Sequence, residues 1–234
     1  MTEALAARFE GMSTARSDGK TEVLAGIIRE RTGAPIRRLL VVGCGSGVEA
    51  AILARELGAE VVGIDLNDSF DSAAAAAVEL RRGDATGLDF ADGAFDFVFS
   101  FHALEHIPAY GKALAEMARV LSQGGAYCVG TPNRLRLVGY LGGRDATWRD
   151  KVAWNVADWN AQLHGRFRNE YGAHAGFSPE ELKAALERAF DRAEEITLPY
   201  YLSLYRDRSG FVSLLDKSGL GRRLFPSIYF MGTK

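Results

Sequence analysis

"LLVVGCGSGVEAAILAREL", residues 39–57, decides how the whole chain is read. Four apolar residues run into Gly43, Gly45 and Gly47, and Ala50, Leu53, Ala54 and Leu57 then recur at helical spacing. A strand that stops on glycines and opens a helix lets the backbone approach a ligand closely and points unpaired N–H groups at it. NAD, FAD and S-adenosylmethionine (SAM) all bind this geometry, so the glycine spacing must discriminate. A dinucleotide fingerprint needs Gly or Ala three residues after its second glycine. Val48 stands there, and Glu49 beside it would repel a pyrophosphate, so a ligand without phosphate fits better.

Outward from this stretch the chain alternates. "TEVLAGIIRERTG" (21–33) predicts a helix ending at Gly33, with Pro35 beyond it. "AEVVGID" (59–65) predicts a second buried strand, "SFDSAAAAAVE" a short helix and "LRRGDA" a weak strand. "GAFDFVFSF" (93–101) is a strong strand, and Leu114, Met117, Ala118 and Leu121 mark one face of the helix after it. "GGAYCVGTPN" (124–133) restarts a strand. This rhythm implies βαβ units, a parallel sheet and right-handed crossovers, with ligands at the carboxyl ends of the strands. Later, "SPEELKAALERAF" (178–190) opens with a capping box of Ser178 and Glu181, with Pro179 at the first helical position, and carries a stripe of Leu182, Ala185, Leu186 and Ala189. "AEEITLPYYLSLY" and "FPSIYFMGT" read as closing strands, with a short helix near 209–217 between them.

The 234 residues, 47% hydrophobic and 25% charged, suit one domain with an elaboration. A net charge of −2 gives no footprint for nucleic acid or an anionic membrane. Cys44 and Cys128 are too few for a disulfide framework and read as reduced thiols. "MTEALAARFEG" lacks the apolar core of a signal peptide, and no run approaches the ~20 apolar residues of a membrane span. A cytoplasmic protein is the expectation.

The residues after each strand carry the chemistry. Asp65 follows strand two, roughly twenty residues after the glycines, where a carboxylate accepts ribose hydroxyls in NAD and SAM sites alike. Asp84–Ala85 follow strand three, placed to receive an adenine through carboxylate and backbone N–H. "VVGCGSG", "VVGID", "GDATGL", "FDFVFSFHALEHI" and "ARVLSQGGAYCVGTPN" then resemble, in order and spacing, the successive motifs of class I SAM-dependent methyltransferases. The likeness is to the group that includes ubiquinone, menaquinone, sugar and natural-product enzymes, and it covers roughly residues 36–133 and the "GFSPEELKAAL" helix.

That resemblance implies an α/β, Rossmann-like fold: a mostly parallel seven-stranded sheet with helices on both faces. It implies SAM as cofactor and S-adenosylhomocysteine as product. Some small-molecule O-methyltransferases bind a divalent metal with an acid-rich version of the segment after strand four. Here His102 stands where an acid would help, so no metal is expected. Gly43, Cys44, Gly45 and Gly47 would back the methionine part, Asp65 and Leu66 the ribose side, Asp84 and Ala85 the adenine, and Ser100 and Phe101 would lie beside the sulfonium. Methyl transfer from SAM is an in-line displacement that needs alignment and often a base. "SFHALEHIP" offers His106 first and His102 second, and His174 in "GAHAGFSP" is a third candidate. Each equally suits a histidine that merely bonds a loop carbonyl. His102, Glu105 and His106 also spell an inverted zinc-protease pattern, but Pro108 stops the helix such a site needs. Neither an Asn/Asp-Pro-Pro-aromatic loop nor a Pro-Cys loop is present, which argues against nucleic-acid bases as acceptors.

Residues 134–176 are not needed to complete the sheet and read as an inserted substrate cap, with 1–20 as an N-terminal flap. From Arg134 to Arg168 seven bases face three acids, and Trp148, Trp154 and Trp159 all lie there. Asn133, Arg134, Trp148 and Trp154, with Tyr201 as a second wall, are the expected acceptor contacts. They suggest a small, apolar or planar acceptor carrying a carboxylate or phosphate. The same tryptophans equally suit a dimer arm, and a monomer or homodimer fits. The competing functions are a SAM-binding partner subunit without catalysis and an NAD(P) oxidoreductase.

Overall fold

The computed structural model describes residues 19–139, 147–169 and 175–234. Seven strands form one sheet in the order β3-β2-β1-β4-β5-β7-β6: β1 (Arg38–Val42), β2 (Glu60–Asp65), β3 (Glu79–Arg82), β4 (Phe95–Phe101), β5 (Leu121–Pro132), β6 (Glu194–Glu195) and β7 (Ser227–Thr233). β1 to β5 pair in parallel, while β7 runs antiparallel to both β5 and β6. This is the mostly parallel seven-stranded sheet that the resemblance implied.

Period-two alternation splits the core between the two faces. Leu39, Val41, Phe97 and Phe99 point to one face, which is covered by α1 (Lys20–Thr32), α2 (Val48–Leu57) and α3 (Ser72–Ala77). Leu40, Val42, Val62 and Val98 point to the other, which is covered by α4 (Tyr110–Val120) through Leu114 and Met117. Helix α5 (Trp148–Leu163) follows β5, and α6 (Pro179–Ala189) rejoins the second face through Leu182 and Leu186. Each of these fully buried side chains stabilises the fold by about 1.5–3 kcal/mol. Local signals also hold. Gly33 ends α1 at φ 64°, and Ser178 and Glu181 close their capping box at the start of α6.

Two expectations change. Leu121, placed on the face of α4, is instead the first residue of β5, although it is still buried. The stretch 193–205 is not a strand: two residues pair as β6, and Thr197–Leu204 form helix α7. Pro199 falls in the first turn of α7, where its missing N–H costs no helical hydrogen bond. Neighbouring Tyr200 and Tyr201 both reach Tyr229 of β7, with ring centroids 4.1 and 6.5 Å away. A strand would send them to opposite faces. The predicted helix near 209–217 is present as α8 (Ser209–Lys217), and α9 (Gly221–Leu224) precedes β7.

Strand order reverses between β1 and β4, and the loops after these strands touch. Gly43 has φ 73°, and a Cβ there would overlap the methyl of Ala103. His102, just before Ala103, is the one described non-glycine residue at positive φ, 50°. We predict that Gly43→Ala destabilises the protein by about 2–4 kcal/mol, combining left-handed strain with overpacking. Adding Ala103→Gly should recover the overpacking part in urea denaturation. Equal stability of the single and double variants would show that the contact is not the cause.

Candidate active site

The carboxyl ends of β3, β2, β1 and β4 stand side by side and bring most of the expected cofactor residues to one edge. After β1 the amides of Gly43 and Cys44 both donate to Ile64 O at 2.9 Å, which lashes the glycine loop to β2. The Gly45 amide donates to Asp65 Oδ2 at 2.9 Å and the Asn67 amide to Oδ1 at 3.0 Å. Both carboxylate oxygens are thereby oriented, and each keeps further acceptor capacity. Leu66 beside them is 61% exposed. After β3 the Thr86 amide donates to Asp84 Oδ1 at 2.8 Å and holds that exposed carboxyl below its usual range, next to the buried Ala85. Ser100, opposite Val42 in the sheet, has a fully buried hydroxyl with no hydrogen-bond partner. Phe101 stacks on Tyr229 at 5.6 Å.

Cys44 is the exception in this set. Its side chain turns into the core toward Gly63, and burial pushes its thiol up to about 12. It supports the loop rather than offering a functional group.

The loop after β4 holds the histidines. The left-handed turn at His102 lets its amide donate to Gly130 O at 2.9 Å, and its Nε2 lies 3.1 Å from Ser227 Oγ. Leu104–His106 form a 3₁₀ turn that buries Glu105 and leaves the His106 ring half-exposed. Glu105 Oε1 stands 3.7 Å from His102 Nδ1 and 3.9 Å from His106 Nε2, and its Oε2 has no hydrogen-bond partner. Burial pushes this carboxyl up to about 7, with the charge of Arg136 acting in the opposite direction. Sequence reasoning met Glu105 only as the middle of an HxxEH pattern. An acid following an apolar strand was the available signal. Among the described residues no group of three or more His, Cys, Asp and Glu is placed to hold a metal ion.

Beside this loop lies a cavity of about 1090 Å³. Its lining includes Glu105, His106 and Tyr110, Arg134, Leu135 and Leu137, and Gln162, Phe167, Arg168, Glu181 and Arg223. The expected acceptor residues divide. Arg134 is on the wall, though its guanidinium is held by Gly176 O at 2.7 Å and Glu181 at 2.8 Å. Asn133 is fully buried, and its amide donates to Arg222 O and Phe225 O, so it ties chain segments together. Tyr201 is buried too. Its hydroxyl exchanges hydrogen bonds with the Ser227 backbone because 197–204 is helical and not a sheet-edge wall. Trp148 is 70% exposed, and neither it nor Trp154 borders the cavity. His174 and residues 1–18 of the expected flap lie outside the described residues. Phe167, Arg168 and Arg223, which line the cavity, had no motif to announce them.

The tryptophans face out because α5 docks by polar contacts. Its one buried residue is Asn155, which bonds both backbone groups of Gly139. Trp159 Nε1 donates to Leu137 O at 2.6 Å. Buried Arg136 pairs with Asp158 at 2.9 Å, bonds Ala175 O and lies over the Phe167 ring at 4.9 Å. The basic excess of this segment is therefore partly spent on its own acids.

Two predictions follow from these buried charges. Arg136→Ala removes the buried ion pair with Asp158 and the guanidinium hydrogen bonds to Asn133 O and Ala175 O, and should cost about 3–5 kcal/mol in urea denaturation. A loss below 1 kcal/mol would mean the pair does not hold α5. Because burial raises the folded-state value of Glu105 to about 7, its contribution is full in acid, below the ordinary carboxylate range, and is lost as pH rises through about 7. Glu105→Gln should therefore gain up to about 3 kcal/mol on wild type between pH 4.5 and pH 8. A flat difference across that range would contradict the burial.

Residues 40–129 match the family described as methyltransferase domain. Over 116 residues the chain is 34% identical to the chloroplastic tocopherol O-methyltransferase of Arabidopsis thaliana, covering 46% of this chain and 33% of that one. Over 115 residues it is 36% identical to the ubiquinone biosynthesis O-methyltransferase of Hahella chejuensis, covering 46% and 48%. The chain thus spans about a third to a half of the length of these curated relatives. Its fold is similar to that of phosphoethanolamine N-methyltransferase 2 of Haemonchus contortus, solved with S-adenosyl-L-methionine. The TM-score is 0.56 at 21% identity, over 91% of this chain and 52% of that one. Residues 40–129 thus match the methyltransferase-domain family, and the mostly parallel seven-stranded sheet that carries them has the α/β, Rossmann-like fold of SAM-dependent methyltransferases.

Proposed function

We propose that this protein transfers a methyl group from SAM to an oxygen of a small-molecule acceptor. The observation that carries the reading is the single sheet edge on which Gly43–Gly47, Asp65, Asp84 and Ser100 stand together. These residues fit SAM. Asp65 is pre-oriented for a ribose diol, the glycine loop leaves no room for a Cβ at Gly43, and Ser100 keeps a buried hydroxyl without a partner. SAM supplies a methyl already activated on a positively charged sulfur. The protein's own work is to align the acceptor and to receive its proton, the role we assign to His106 at the cavity wall.

The acceptor occupies the cavity next to His106, with segment 134–176 as its cap. Leu135, Leu137 and Phe167 suit an apolar or planar body, and the guanidinium groups of Arg168 and Arg223 suit an anionic substituent. The oxygen assignment draws on the relatives named as O-methyltransferases. Among the described residues no helix is long and apolar enough to cross a membrane.

Calorimetric titration with S-adenosylhomocysteine, with NADH as control, tests the cofactor. We expect micromolar binding of the first and none of the second, and NADH binding alone would overturn the reading. Asp65→Ala should weaken binding about 100-fold or more, since hydrogen bonds to a charged group are worth about 1.5–3 kcal/mol each. His106→Ala should spare binding and lower turnover about 10²–10⁴-fold on whichever phenolic, sugar or fatty-acid acceptor a screen returns. Unchanged turnover would remove His106 from the chemistry.

A further inference from the structure

A carboxylate taken out of water is costly unless charge or hydrogen bonds compensate it. Glu105 has its side chain 1% exposed and one oxygen with no hydrogen-bond partner, yet the fold places it between two imidazoles. At 3.7 and 3.9 Å its Oε1 lies beyond hydrogen-bond reach of both rings and within ion-pair range. From the segment after β5 it faces Arg136, whose own partner is Asp158 of α5. The two rings differ in setting. Ser227 anchors His102, whereas His106 borders the cavity. The left-handed backbone at His102, a conformation that costs free energy, makes the turn that leads into the 3₁₀ segment.

We infer that Glu105 is a positioning residue: its carboxylate, buried at the cavity border beside His106, sets the charge state of His106 and stabilises the imidazolium there. This role presupposes the methyl transfer proposed for the site. As the acceptor oxygen bonds the methyl carbon, His106 takes the hydroxyl proton, and the carbon–sulfur bond breaks with its electron pair left on sulfur. The positive charge that arrived on sulfur ends on His106, facing Glu105. His102 shares the same carboxylate but stays fixed on Ser227, so it supports the turn.

The test is an NMR titration of the imidazoles in the full chain, with the four histidines assigned by single replacements. Glu105→Gln should lower the titration midpoints of His106 and His102 by half a pH unit or more. His164, at the far end of α5, should not move. By reciprocity, His106→Gln should raise the midpoint of the Glu105 carboxyl, followed by its ¹³C shift. That second variant changes only a half-exposed side chain, so it answers even if Glu105→Gln fails to fold. An unmoved His106 midpoint in the first variant, or an unmoved Glu105 midpoint in the second, overturns the inference. Neither readout needs SAM or an acceptor. Failure to bind S-adenosylhomocysteine would remove the proposed function and leave the coupling intact. Unmoved midpoints in a protein that binds it would remove the coupling alone.

Discussion

Gly43 and Ala103 touch where the sheet changes direction, and the site is built around that contact. β1 and β4 are sheet neighbours, so the loops leaving their carboxyl ends compete for one space. The chain resolves the competition by giving the first loop no side chain and turning the second away through a left-handed residue. The glycine loop then lies flat against Ile64 and Asp65, while the histidine turn passes over Ala103 toward the cavity. The proposed cofactor edge is thus joined through one contact to the turn that leads to His106 at the cavity, and an in-line transfer depends on such fixed alignment.

The two sides of that contact are held by different physics. The cofactor edge grows from strands packed on both faces by Leu, Val and Phe, so its backbone groups are as fixed as the core. Among the described residues, helix α5 on the cavity side is held by polar contacts that include a buried ion pair, the Asn155 bracket on Gly139, the Trp159 indole and the Gln162 amide. Such contacts add little net stability, but they fail sharply when one partner is lost. A segment docked this way can differ between proteins without disturbing the sheet. The family match, 40–129, ends before that segment begins.

Legibility in the sequence follows the same division. Periodicity and glycine spacing located β1 to β5, α1, α2 and the capped α6, because those signals are local and the burial they report is two-sided. They also brought Asp65, Asp84 and Ser100 to one edge. Tyr201 was misplaced because an apolar run of eight residues suits strand or helix alike, and only the packing of Tyr200 and Tyr201 on Tyr229 decides. Trp148 and Trp154 were misplaced because composition does not say which way a helix faces once polar contacts orient it. Arg168 and Arg223 reach one cavity from segments about fifty residues apart, a juxtaposition no spacing encodes.

Glu105 shows what such a reading misses and why it matters. In the sequence it is an acid beside a histidine, and only the fold buries it. The 3₁₀ turn buries its side chain while the ring of its neighbour His106 stays half-exposed at the same cavity, so residues adjacent in sequence differ sharply in their access to water. A group whose ionisation is penalised by burial gains most from a nearby cation, and the reaction proposed here delivers one to His106. In the reaction proposed, the rigid sheet aligns the methyl and the buried acid answers the charge that its transfer delivers. The two tasks need different dielectric surroundings, and the left-handed turn at His102 is where the chain passes from one to the other.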